Sequence, residues 1–111
     1  MNYLYQGDIP KNFEFTDSIA VDTETMGLKH QRDRLCLVQL SNGDGNAHLI
    51  QLGSDFGYKA DNLKALMKNK KIVKIFHYAR FDLGVIKKYM GIMPNNIYCT
   101  KIASKIARTY S

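Results

Sequence analysis

The sequence predicts an α/β domain whose core is a mixed five-stranded sheet flanked by helices, and three observations carry that prediction. Short runs of branched and apolar residues recur along the chain, bounded by turn-forming clusters. Two of these runs are joined by Ser41-Asn42-Gly43-Asp44-Gly45-Asn46, several of which tolerate positive φ, the mark of an antiparallel hairpin. After the hairpin the period changes from two to helical and back, giving a helix, strand, helix, strand, helix order that suits parallel crossovers.

Taken in order, the first 17 residues carry only weak pattern and read as a strapped-down extension. Ile19–Thr23 is a branched, apolar run that turns acidic at its end, as a buried central strand does where it empties into a site. Leu35–Leu40 and Ala47–Leu52 form the hairpin strands. From about Ala60, Leu63, Leu66 and Met67 share one helical face, with Lys64, Lys68, Lys70 and Lys71 elsewhere or trailing off its C-terminal end. Lys71–His77 reads as a strand, and Ala79–Met90 as a helix with Phe81, Val85, Ile86 and Tyr89 at helical intervals before a Gly91 stop. Pro94-Asn95-Asn96 makes a turn and Ile97–Cys99 a short strand; Thr100 is placed to cap a last helix carrying Ile102, Ile106 and Tyr110.

At 111 residues, 45% hydrophobic and without a low-complexity tract or repeat, the chain is expected to be one domain, residues 1–111. Its net charge of +6 suits an anionic partner such as nucleic acid. Cys36 and Cys99 lie in apolar stretches with no CxxC or Cys/His spacing, so free thiols in a reducing compartment are expected rather than a zinc site. The first residues lack a basic segment followed by an apolar core, and no stretch approaches the length of a membrane span, so a cytoplasmic protein with no membrane contact is expected.

The sharpest chemical signal is Asp22 and Glu24, which at i and i+2 of an extended segment project to one face with Cα atoms roughly 6.6 Å apart. Like charges so placed need cations, donors or solvent between them. Oxygen ligands without neighbouring Cys or His select Mg²⁺ or Mn²⁺, and two such ions form the known clamp for in-line phosphodiester hydrolysis. Asp82 supplies a third carboxylate from the first turn of the helix that follows the Lys71–His77 strand, near the edge where ligands gather in open α/β sheets. Its plainer role there is to complement the helix dipole, and that of Asp22 and Glu24 is to end a strand in solvent.

VDTETMGL, then LCLVQLS, IFHYARFDLGVIKKYMGI and IYCTKIASKIARTYS resemble, in order and spacing, the ribonuclease D branch of the DEDD exonucleases over roughly residues 15 to 111. The resemblance implies a ribonuclease H-like fold and a 3′-5′ exonuclease that hydrolyses phosphodiester bonds from the 3′ end of RNA or DNA, RNA being the more expected partner, with two divalent cations, Mg²⁺ or Mn²⁺. Asp22 and Glu24 match the family's Asp-x-Glu motif, and Asp82 matches the aspartate of its second motif, here HYARFD; these three are the implied catalytic and metal-binding acids. The family's fourth acid, on a helix with a water-positioning Tyr or His, would follow Asp82 by several tens of residues. From Leu83 to Ser111 there is neither Asp nor Glu, so a C-terminally truncated domain is expected, with a catalytically incomplete fragment as the alternative. Such a fragment would bind nucleic acid, self-associate, or complement a separate C-terminal half.

Met26, Gly27 and Leu28 match the stretch that lines the terminal nucleotide in the family, and a turn with a core leucine is their other reading. His77 and Phe81 flank the second motif and are implied substrate contacts; a strand-end histidine and a core phenylalanine are the alternatives. Arg32 and Arg34, and the lysine-rich stretches Lys68–Lys74 and Lys101–Arg108, could track phosphates or stand solvated, and Gln39 reads as a buried, hydrogen-bonded residue within an apolar strand.

Overall fold

The computed structural model of the chain describes residues 1–13, 17–26, 34–53, 55–77 and 79–100. Its elements are β1 (Asn2–Gln6), β2 (Ser18–Met26), β3 (Arg34–Ser41), β4 (Ala47–Gln51), α1 (Asp61–Lys68), β5 (Val73–Phe76), α2 (Ala79–Met90) and β6 (Ile97–Cys99). They form a sheet of order β1-β4-β3-β2-β5-β6. The expected α/β architecture stands, with six strands rather than five. β2, β3 and β4 run as an antiparallel meander, β5 and β6 continue parallel to β2, and β1 lies parallel to β4 at the far edge.

The extra strand is β1, within the stretch that reads as a weak extension. All but one of its residues are exposed, so no two-residue apolar period marks it, and its pairing of Asn2 with Ala47 joins distant parts of the chain. The same segment then straps α1. Ala60 precedes the helix in a left-handed conformation without a capping side chain, and Asp8 supplies the cap instead. Its carboxylate accepts from Asn62 N–H at 2.9 Å, Leu63 N–H at 2.8 Å and Ile9 N–H at 2.8 Å, while Asn62 Nδ2 donates to Ile9 O at 2.9 Å. Two of the orphan amides at a helix start are thereby satisfied from outside the helix.

One sheet face carries the core. Ile19 and Val21 of β2, Val38 and Leu40 of β3, Ile50 of β4 and Phe76 of β5 pack with Leu63 and Met67 of α1 and Ile86 and Met90 of α2. In β3 the alternation slips: Leu35 is as buried as Val38 and Leu40. The pairing jumps there, Glu24 facing Leu37 while Thr25 faces Leu35, which leaves Cys36 as the extra residue of a bulge. Without that slip Leu35 would turn away from the core.

Lys74 departs from the expected lysine-rich face. It sits on the core side of β5 with no exposure, and Nζ donates to Ile72 O at 2.7 Å and to Asn69 O at the end of α1. Burial pushes its ammonium below its ordinary range. It cannot track phosphates, whereas Lys68, Lys70 and Lys71 are exposed. Of the expected last helix only Thr100 is described, and it is helical; Ile102, Ile106, Tyr110 and Lys101–Arg108 lie outside the described residues. No described helix is long and apolar enough to cross a membrane.

Candidate active site at the half-paired end of the central strand

β2 is the central strand, yet it is paired on both sides only as far as Val21, which faces Phe76 at the end of β5; beyond that point β3 alone continues beside it. Asp22, Thr23 and Glu24 therefore stand on a strand with one open edge, beside the point where the chain leaves β5 and enters α2. The pleat alternates their side chains. Val21 and Thr23 are buried on the helix side, while Asp22 and Glu24 are exposed on the other, so the two acids share a face as their spacing predicts.

Asp82, in the first turn of α2, meets β2 at that edge. It is only 4% exposed and accepts a hydrogen bond from the Thr23 hydroxyl. The Thr23 N–H donates to Asp22 Oδ1 at 3.0 Å. Burial raises the Asp82 carboxyl above its ordinary range; the Thr23 hydroxyl and main chain and the nearby His77 work against the rise, and the Asp22 charge adds to it. Asp22 and Asp82 are thus brought within electrostatic reach of each other around one threonine.

A cleft of about 300 Å³ opens on the exposed face beside Asp22, walled by Gln39, Ser41, Ile75, His77 and Thr100. Gln39 is the cross-strand partner of Asp22, and antiparallel partners share a face, so its side chain lines this cleft rather than the core. His77 Nδ1 and Thr100 Oγ1 lie 3.1 Å apart, and the threonine hydroxyl is also 3.4 Å from Phe76 O, closing one end. Phe81 is 52% exposed one residue before Asp82, which removes its reading as a core residue and leaves an exposed apolar ring. Arg34 is exposed at the start of β3. Met26 ends β2, though its side chain is not described, and Gly27, Leu28 and Arg32 lie outside the described residues.

Sequence reasoning did not single out Thr23, Ser41 or Thr100 for this site, and it placed Gln39 in the interior. A usable signal existed for Gln39, a lone amide in an apolar strand, and for Thr23, a hydroxyl where a buried strand position would ordinarily hold valine. Cys36 and Cys99 are half-buried and in no disulfide; Cys36 Sγ donates to Glu24 O at 3.4 Å, and Cys99 Sγ accepts from Ala79 N–H at 3.2 Å.

The donor chemistry suits a hard divalent ion, since Asp22 and Glu24 present carboxylate oxygens side by side at an exposed edge. The three acids are not gathered tightly: among the described residues no group of three His, Cys, Asp or Glu side chains is close enough to hold an ion. Asp82 Oδ1 is engaged by the Thr23 hydroxyl.

Residues 8–111 match a family model described as 3′-5′ exonuclease. Among curated proteins, the chain is similar to Ribonuclease D of Bartonella henselae, 35% identical over 91 residues that cover 82% of this chain and 22% of the relative. Among solved structures, Brucella melitensis NrnC bound to pGG superposes with a TM-score of 0.83 at 48% identity, covering 99% of this chain and 54% of that one. NrnC with bound Mg²⁺ matches equally, with a TM-score of 0.83 and 48% identity over 99% of this chain and 55% of that one. Escherichia coli RNase D, an exoribonuclease involved in structured RNA processing, gives 0.67 at 28% identity over 79% of this chain and 23% of that one. The chain therefore spans about a fifth of the curated relatives it matches and about half of NrnC.

Proposed function

The chain belongs to the 3′-5′ exonuclease family, and from that premise we propose that it carries three acids of a metal-dependent active site that hydrolyses phosphodiester bonds at the 3′ end of a nucleic acid, RNA before DNA. The observation that carries the proposal is the pair Asp22 and Glu24, exposed side by side on the half-paired end of β2, with Asp82 against the same edge. In this reading the three acids hold divalent cations, Mg²⁺ being favoured by the Mg²⁺-bound relative. The pGG-bound relative supports a nucleic-acid ligand. Bound ions would polarise the scissile phosphate and lower the pKa of an attacking water.

The chain's own residues do the rest. Asp22 and Glu24 supply negative charge where a bare phosphodiester would be repelled, so the site admits substrate only with cations present. Phe81 offers an exposed ring on which a terminal base can stack. Gln39 and His77, on the cleft wall, can donate hydrogen bonds to phosphate or sugar oxygens.

The test is release of mononucleotides from 3′-labelled RNA and DNA in Mg²⁺, Mn²⁺ or EDTA. Asp22→Asn should abolish metal-dependent release while the variant's circular dichroism matches that of the wild type. Undiminished release by the variant, or release that persists in EDTA, refutes the assignment.

A further inference from the structure

The residue between the two acids of the Asp-x-Glu segment engages two of the three carboxylates. Thr23 faces the helix layer because it alternates with Asp22 and Glu24 along β2. There its hydroxyl donates to Asp82 Oδ1 across 59 residues of sequence, both groups being buried. Its N–H holds Asp22 Oδ1 at 3.0 Å. One residue on β2 therefore ties together acids from a strand and a helix that would otherwise repel each other.

A buried, β-branched strand position is ordinarily satisfied by valine, which has the shape of threonine without the hydroxyl. The hydroxyl is the only chemical difference, and it is spent on Asp82. A carboxylate in the first turn of a helix can rotate about χ1 and χ2. Anchoring one of its oxygens fixes the plane of the group and leaves the second oxygen as the available donor.

We propose that Thr23 is a positioning residue of the metal site, holding the Asp82 carboxylate beside Asp22 through its hydroxyl, so that loss of the hydroxyl weakens divalent-ion binding. The proposal rests on the reading of Asp22, Glu24 and Asp82 as metal ligands. Partners of this kind set the orientation of a ligand before the ion arrives.

The experiment is a Mn²⁺ titration of the full chain followed by electron paramagnetic resonance, in which the free-ion signal falls as the ion binds. Thr23→Val should weaken binding by roughly 10- to 100-fold, and Thr23→Ser, which keeps the hydroxyl, should restore most of it. In an Asp82→Ala background, Thr23→Val should add no further loss, since Thr23 acts through Asp82. Should Thr23→Val fail to fold, Thr23→Ala removes the hydroxyl, together with the threonine methyl, without placing a new methyl against Asp82, and Thr23→Ser remains its hydroxyl-bearing comparison. Wild-type affinity in Thr23→Val, equal losses in the Ser and Val variants, or a full additional loss in the Asp82→Ala background each overturns the proposal. A wild-type chain that binds no Mn²⁺ at millimolar concentration instead removes the underlying metal-site reading, and the positioning role falls with it.

Discussion

Replacing Asp82 with asparagine should make the metal-free protein more stable while depriving it of its response to metal. The substitution keeps the side-chain shape and the Oδ1 acceptor for the Thr23 hydroxyl, and removes only a charge that is 4% exposed and close to Asp22. Two contributions oppose each other. A hydrogen bond to a charged acceptor exceeds its neutral counterpart by about 1 kcal/mol, which the variant loses. Against that, desolvating a carboxylate so completely costs several kcal/mol before its partners compensate, and the asparagine amide can donate toward Asp22 where the carboxylate repelled it. With part of the desolvation offset by the Thr23 hydroxyl and main chain, the balance favours the variant by about 1–2 kcal/mol, or about 4–10 °C in Tm for a chain of this size. The assay is thermal unfolding in EDTA and again in Mg²⁺. The wild type should gain Tm as Mg²⁺ is raised, because an ion that binds only the folded state stabilises it, and Asp82→Asn should gain little or none. If the variant melts at or below the wild type in EDTA, the Asp82 charge is fully compensated where it lies, and its reading as an acid held ready for a cation is wrong.

Further predictions concern the cap, the buried lysine and the exposed ring. Asp8→Ala removes acceptors from Ile9, Asn62 and Leu63 N–H, and should destabilise the fold by about 2 kcal/mol; a change below about 0.5 kcal/mol in urea unfolding would show that water replaces the cap without penalty. Lys74 has its folded pKa depressed by burial, so the unfolded state holds the proton longer and wild-type stability rises as pH climbs through the folded value toward 10.5. The Tm difference between wild type and Lys74→Met should therefore move in favour of the wild type between pH 8 and 10.5, and a constant difference contradicts the depression. Phe81→Ala, at an exposed position, should leave Tm nearly unchanged but weaken binding of a single-stranded oligonucleotide by roughly 1–3 kcal/mol. Unaltered binding by fluorescence anisotropy would remove Phe81 from the substrate contacts.

The legible parts of the fold were those whose signals are local. The Gly43 and Gly45 loop, the periodic helix Ala79–Met90 and the branched run at Ile19 each state their structure within a few residues, and each is found as expected. β1 was illegible because it is an exposed edge strand whose partner lies some 45 residues away and whose side chains bury almost nothing. The inward turn of Lys74 was illegible for a related reason: a lysine reads as solvated until the carbonyls of Asn69 and Ile72 are seen converging on it. At the site, spacing alone placed Asp22 and Glu24 on one face. It could not show that Asp82 would arrive on the threonine side of the strand, since that depends on where β5 stops relative to β2. The cleft role of Gln39 likewise follows from register with Asp22, which the sequence does not state.

The strap formed by β1 and Asp8 has a consequence in time. Its partners, β4 and the start of α1, lie about 45 to 55 residues farther along the chain, so a segment synthesised before its partners must wait for them to find its contacts. Loop closure over such distances slows folding, and α1, only eight residues long, is too short to hold its helix unaided. Until the strap closes, the hairpin edge at β4 remains open to pairing with any extended chain nearby, and the same segment that later completes the sheet serves in the interim as its unfilled vacancy. Mature helix and sheet edge would accordingly be gained together, in one late step, and an amide-exchange experiment on refolding should find Asn62, Leu63 and the β4 strand protected at the same rate.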